Sequence, residues 1–170
     1  MAFLRVKKIN NAKYLYLVGN KWYKRKAKGK GKGPRQKVIK YLGKVYSFEK
    51  ANNSDFHYFK NINNIEEYIK NNEKSSIIRD LVEWELFRHH INKDEFGIDF
   101  DNKKILKGKK DVSLAMNEGF LCSYTLARLF NFKFGIEMEN EGMEFAKAFV
   151  EAGIEVPKEV FVGIFGKVYK

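Results

Sequence analysis

The chain has 170 residues, of which 44% are hydrophobic and 15% aromatic, with a net charge of +12 and a single cysteine. This length fits one ordinary domain or a small module beside a larger one, and the apolar content is that of a folded chain. One cysteine excludes an intramolecular disulfide framework, and we interpret Cys122 as a small buried hydrophobe rather than a reactive thiol.

Membrane and secretory classes do not fit the pattern. No apolar run reaches the roughly 18 residues that cross a bilayer, and no apolar segment follows the basic N-terminus as in a signal peptide. We therefore expect a cytoplasmic protein with no membrane partner.

The positive charge is concentrated at one end of the chain. Residues 1–48 contain 15 Lys or Arg and no Asp or Glu, whereas the remaining residues carry 18 basic and 21 acidic side chains. A basic block attached to a nearly neutral body indicates a polyanionic partner.

The N-terminal segment begins with the pattern of two strands. Residues 3–9 alternate, Asn10-Asn11 supplies a turn, and residues 13–18 are rich in Tyr, Leu and Val, in a strand that continues through Trp22 and Tyr23 if Gly19-Asn20 does not turn the chain. We interpret Gly19-Asn20 as a bulge within the second strand rather than as a hairpin turn.

A third strand follows a long basic loop. The Gly-Lys run at 28–33 cannot hold regular structure, and residues 36–42 then read as a strand that ends at Gly43. Residues 1–46 are thus predicted to form a three-stranded antiparallel sheet that binds nucleic acid.

The rest of the chain reads mainly as helix. Residues 47–62 resemble a linker, and residues 63–170 are predicted to form an α-rich domain. Residues 96–106 alternate around Asp101-Asn102 and are interpreted as a small β-hairpin. Helices are predicted for residues 63–69, from Ser75 or Ser76 to about Ile91, for residues 114–132 and 141–152, and after Pro157. The predicted fold class is α+β: an N-terminal three-stranded antiparallel sheet followed by this α-rich body.

Strand alternation separates the side chains of the N-terminal module onto two faces. One face would pack Leu and Val side chains on the body, and the other would present cations that neutralise phosphates and tyrosines that stack on bases. Arg35, Lys37, Ile39 and Tyr41 are predicted to share a face. The candidate nucleic-acid contacts are Arg5, Lys7, Tyr14, Tyr16, Lys24, Arg25, Lys28, Lys30, Lys32, Arg35, Lys37 and Tyr41.

Three segments of this module, residues 3–8, 13–18 and 35–43, resemble the N-terminus of insertion-sequence (DDE-type) transposases. In that family a basic, strand-rich segment precedes the catalytic domain and helps to bind DNA ends. The family's catalytic domain carries three spaced carboxylates on a ribonuclease-H-like sheet, and the chain after Gly43 is too short and too helical for one. The resemblance therefore implies DNA binding by a protein of a mobile element, without strand transfer.

No catalytic, metal or cofactor site is indicated. His89 and His90 are adjacent, so on a helix their side chains diverge by about 100° and are poorly placed to bind one metal. Asp99, Lys109 and Asp111 could be arranged as in a metal-dependent nuclease, but charged hairpins commonly carry such residues. The Gly-Lys run lacks the terminal Lys-Ser/Thr of a phosphate-binding loop.

Residues 115–129 leave two interpretations open. Gly119 followed by a Ser/Thr-rich segment resembles a helix-turn-helix, whereas the strongly apolar character of the run favours a buried helix that is broken at Gly119.

Three functions follow from these patterns. The first is a DNA-binding accessory or regulatory protein, the second an RNA- or ribosome-associated protein, and the third a small metal-dependent nuclease. The α-rich body would supply a scaffold, a homo-oligomer interface or a partner-binding face.

Arg5→Ala and Arg35→Ala are each predicted to weaken nucleic-acid binding and to reduce the slope of log affinity against log salt by about one unit. Titrations at several salt concentrations measure both quantities. If both variants bound like the wild type, the predicted contact face would be incorrect.

Overall fold

The computed structural model describes residues 1–23, 33–135 and 138–169. The strands in these ranges are β1 (Ala2–Ile9), β2 (Ala12–Tyr23), β3 (Gly33–Ser47), β4 (Phe96–Asp99), β5 (Lys104–Lys107), β6 (Lys110–Met116) and β7 (Gly119–Leu121). The helices are α1 (Phe56–Lys60), α2 (Ile65–Asn71), α3 (Lys74–Arg88), α4 (Ser123–Phe130), α5 (Met138–Glu151) and α6 (Lys158–Val168). Within the described ranges, none of the helices has both the length and the apolar character that crossing a bilayer requires.

The strands form one mixed sheet in the order β1-β2-β3-β6-β5-β4, and β7 also pairs with β6. β3 and β6 run parallel, with Lys44 opposite Val112, and the other strand pairs are antiparallel. The chain is α+β, but the prediction of a three-stranded N-terminal sheet followed by an α-rich body is wrong. The first three strands are continuous with four more strands from the region predicted to be mainly helical.

Gly43 explains why the third strand continues. Its φ of 106° is a conformation that glycine adopts readily, so β3 passes through it and runs on to Ser47 instead of ending. The backbones of β3 and β6 also approach closely at this point. A Cβ atom on Gly43 would lie 2.4 Å from the Asp111 carbonyl oxygen and 2.7 Å from the Val112 Cα.

The helix predicted over residues 114–132 is wrong in its first half. Residues 110–121 form the β6–β7 hairpin, whose turn contains Asn117 at a φ of 50°, and the helix begins only at Ser123. A strand buried on both faces reads as a continuous apolar run, which periodicity alone does not distinguish from a buried helix. The helix-turn-helix interpretation is wrong for the same reason.

Several local predictions are confirmed. β4 and β5 form the expected hairpin around Asp101-Asn102, with Asp99 opposite Lys104. β2 continues through Gly19-Asn20 as one strand, as predicted, but the predicted bulge there is wrong, because the register shifts between β2 and β3 lie at Leu15/Tyr16 and Leu17/Val18. Gly153 follows α5 with a φ of 73°, the left-handed conformation expected of a glycine that ends a helix.

Two apolar clusters hold the fold together. The larger one joins α3, α5 and α6 to β5 and β6, and includes Leu81, Phe145, Ile164, Ile105 and Leu114. The smaller one, here called the N-terminal core, consists of Leu15, Leu17, Leu42, Val45 and Cys122. Cys122 is fully buried, as predicted, and this burial raises the pKa of its thiol.

Gly43→Ala is expected to lower the free energy of unfolding by about 2 kcal/mol or more, because the new methyl group would meet the β6 backbone at an unfavourable φ. Urea-induced unfolding measures the change.

Gly166→Ala is the matched control, since a Cβ atom there meets nothing within 4 Å. In helix α6 it should leave stability unchanged or raise it by up to about 1 kcal/mol. Equal effects of the two substitutions would contradict the close approach of β3 and β6.

Candidate nucleic-acid interface

Three tyrosines lie together on one face of β2 and β3. The strand register places Tyr16 opposite Tyr41 and Tyr14 opposite Lys44. The ring centroid of Tyr41 is 5.3 Å from that of Tyr16 and 6.3 Å from that of Tyr14. These are the separations of packed aromatic pairs, so the rings form one continuous patch.

Cations border this patch. On β1, Arg5 lies opposite Tyr16 and Lys7 lies opposite Tyr14. The Lys7 Nζ atom is 5.0 Å from the centroid of the Tyr16 ring, within the range of a cation–π interaction. We call this surface the tyrosine face, and it consists of Arg5, Lys7, Tyr14, Tyr16, Tyr41 and Lys44.

The opposite face of the same strands is covered. Leu15 and Leu17 are buried in the N-terminal core, and Leu4 and Val6 of β1 pack against it. The predicted division of β1 and β2 into a polar and an apolar face is therefore confirmed. Because the N-terminal core packs against the other side of these strands, the backbone that carries the tyrosine face is held in place.

Tyr41 is 50% exposed, yet its phenol is harder to ionise than usual. Partial desolvation raises its pKa above the ordinary value of 10.0, and the neighbouring Tyr16 and Tyr14 raise it further. The hydroxyl group is therefore protonated at neutral pH, and it can donate a hydrogen bond to a phosphate oxygen.

Arg35 and Lys37 do not lie on the tyrosine face. The register shifts between Leu17 and Val18 of β2, which leaves Ile39 as an extra residue in β3 and reverses the alternation there. Consistent with this reversal, the Arg35 guanidinium lies 5.3 Å from the Tyr23 ring, on the other face of the sheet. The prediction that these two residues share a face with Tyr41 is therefore wrong.

The remaining candidates fall in the segment between β2 and β3. Lys24, Arg25, Lys28, Lys30 and Lys32 lie outside the described residues. Their role in binding stays a prediction.

Sequence reasoning missed Lys44, Lys21 and Trp22. Lys44 lies outside the predicted contacts because Gly43 reads as the end of the strand, although the following Val45 and Tyr46 fit a continuing strand. Trp22 looks like a core residue by composition, but it is 60% exposed. Only the structure reveals that residues 20–23 of β2 are exposed.

Comparisons with protein-family models, curated proteins and solved structures give no match to this chain. The resemblance to transposase N-termini therefore stays a prediction that these comparisons do not test.

Asp99, which was considered for a nuclease, has local partners, and so has Glu95 just before the β4–β5 hairpin. The Asp99 carboxylate accepts hydrogen bonds from the Asn102 backbone N–H at 2.9 Å and from the Asn102 side chain at 2.7 Å, and Glu95 pairs with Lys107. In the part of the chain that the structure describes, no three His, Cys, Asp or Glu side chains are grouped so that they could hold one metal ion.

His89 belongs to a buried polar network. Its Nδ1 atom lies 2.9 Å from the Glu85 carbonyl oxygen, and Arg88 donates to the Glu85 carboxylate at 2.8 Å. Burial raises the pKa of Glu85, although the charge of Arg88 opposes this effect. Asn117 and the Glu155 backbone N–H also bond to Glu85, so the network joins α3 to the β6–β7 turn and to the segment after α5.

A groove of about 760 Å³ lies beside α5 and α6. Its walls are mainly apolar, with Phe149, Ile154 and Phe161, and the carboxylates of Glu118 and Glu155 also line it. Lys158 also lines the groove, and Glu155 is paired with Lys50 and Arg88. Because the lining is mainly apolar and its charges are mixed, we do not include the groove in the nucleic-acid interface.

Proposed function

We propose that this protein binds nucleic acid, and DNA in particular, through the tyrosine face. The observation that carries the proposal is the grouping of three cations and three tyrosines on one sheet face, where Arg5, Tyr41 and Lys44 are exposed and the other three side chains are half-buried. This face lies in a segment of 48 residues that contains no carboxylate side chain.

The chemistry of the face suits a phosphate backbone. Arg5, Lys7 and Lys44 can each neutralise one phosphate and release its counterions, so affinity should fall steeply as salt rises. The tyrosines add hydroxyl donors and flat rings that stack on bases. Since the N-terminal core packs behind the strands, the backbone of the face is already ordered before binding.

The charge of the rest of the chain also favours binding through the N-terminal sheet. Residues 49–170 carry more acidic than basic side chains, which orients the molecule with its N-terminal sheet towards a polyanion. In this proposal the protein acts in the cytoplasm as an accessory or regulatory factor, and its helical layer serves as a scaffold or a dimer interface.

DNA is favoured over RNA by the resemblance of residues 3–8, 13–18 and 35–43 to transposase N-termini. The exposed ring of Tyr41 favours the second candidate, an RNA-associated protein, because unpaired RNA bases stack on such rings. Titrations of duplex DNA, single-stranded DNA and structured RNA of equal length, at one salt concentration, distinguish the two.

Lys44→Ala is expected to weaken binding of the intact chain to duplex DNA and to reduce the salt slope by about one unit, because one phosphate contact is lost. Fluorescence anisotropy with labelled DNA measures both effects. Point substitutions are preferable to deletion of residues 1–46, which would remove β3 from β6 and uncover the N-terminal core.

Lys147→Ala is the matched control. Lys147 is an exposed residue of α5, and its replacement removes the same charge from the body. It should leave the salt slope unchanged. Equal effects of the two substitutions would mean that net charge, rather than the tyrosine face, determines binding.

A further inference from the structure

The β2–β3 pair extends beyond the rest of the sheet. The pairing of β1 with β2 ends at Ala2 opposite Gly19, whereas β2 and β3 stay paired from Asn20 opposite Gln36 to Tyr23 opposite Gly33. We call this two-stranded extension, residues 20–23 and 33–37, the arm. All residues in 20–23 and 34–37 are exposed.

The two faces of the arm carry different groups. Lys21 and Arg35 lie opposite each other, and their cationic groups are 5.6 Å and 5.3 Å from the Tyr23 ring. Alternation places Lys37 on this same face. Asn20, Trp22 and Gln36 lie on the other face, so neither face of the arm is apolar throughout and neither has a carboxylate.

An exposed arm of this kind is unfavourable for the stability and solubility of the free protein. Two paired strands without a covering layer are only marginally stable in water, and an exposed tryptophan favours nonspecific association. The charge and hydrogen-bonding groups of the arm are complementary to a polyanion with accessible donors and acceptors, which indicates a nucleic acid as the partner.

We propose that the arm enters the major groove of duplex DNA, an inference that rests on the proposed function. Paired strands lie about 4.8 Å apart, and the B-form major groove, about 12 Å wide, admits a two-stranded ribbon. Arg and Lys hydrogen-bond to guanine edges, and Asn and Gln hydrogen-bond to adenine edges. The major groove of an RNA duplex is deep and narrow and does not admit such a ribbon.

In this proposal the tyrosine face and the arm have different roles in DNA binding. The tyrosine face contacts phosphates and fixes the orientation of the protein, as backbone contacts do in DNA complexes. The arm makes the contacts that distinguish a DNA duplex from an RNA duplex.

The test compares the affinity of the intact chain for a DNA duplex, an RNA duplex of the same sequence and single-stranded DNA of the same length. The wild type should prefer the DNA duplex over the RNA duplex by about tenfold or more. The double variant K21A/R35A should lose most of this preference while it retains the salt-dependent binding that the tyrosine face supplies.

K8A/K13A is the matched control, because Lys8 and Lys13 are an exposed, directly paired lysine pair at the opposite end of β1 and β2. It removes the same charge and should keep the preference for the DNA duplex. Equal affinity of the wild type for both duplexes, tighter binding of single-stranded DNA, or an equal loss of preference in both variants would overturn the arm proposal alone. Absence of binding to every nucleic acid would overturn the proposed function as well.

Tryptophan fluorescence gives a second readout. The chain has two tryptophans, and Trp84 is only 5% exposed, so a soluble quencher mainly reaches Trp22. Saturating DNA duplex should protect the wild type from the quencher and should leave Trp22→Phe unaffected. Unchanged quenching of the wild type in the DNA-bound state would contradict insertion of the arm.

Discussion

The parallel pairing of β3 with β6 is the constraint on which the rest of the structure depends. It requires the two backbones to approach at Gly43, where any side chain would meet the Asp111 carbonyl group. Ser113 strengthens the junction, because its buried hydroxyl donates to the Leu42 carbonyl oxygen at 2.7 Å. Through this pairing the basic N-terminal strands become part of the sheet that also packs against the helices.

Two register shifts in the pairing of β2 with β3 determine which basic residues lie on the same face of the sheet. One register shift leaves Leu42 as an extra residue beside Gly43, and the second leaves Ile39 as an extra residue further along the strand. The segment between the shifts presents Tyr41 beside Tyr14 and Tyr16, whereas Arg35 and Lys37 lie on the other face. The same stretch of basic sequence therefore yields two surfaces: a supported tyrosine face and an arm that is exposed on both sides.

The sequence predicts the parts of the candidate site that depend on local alternation. Arg5, Lys7, Tyr14 and Tyr16 share a face because β1 and β2 pair without interruption, and a period of two is then sufficient. The relation of Tyr41 to Arg35 depends on bulges, which arise from pairing between strands. The strand at residues 110–116 was not predicted because both of its faces are buried, which removes the alternation that identifies a strand. Without that strand, the pairing that continues the N-terminal sheet into the body could not be predicted.

The central claim is that nucleic acid contacts the tyrosine face of the intact chain. Ultraviolet cross-linking of the protein to a DNA duplex, followed by mass spectrometry of the modified peptides, tests it most directly. Tyr58 in α1 is a built-in reference, since it is 85% exposed and lies outside the basic segment. Our account predicts cross-links at Tyr14, Tyr16 or Tyr41 and none at Tyr58. Cross-links at Tyr58 with an unmodified tyrosine face would contradict it.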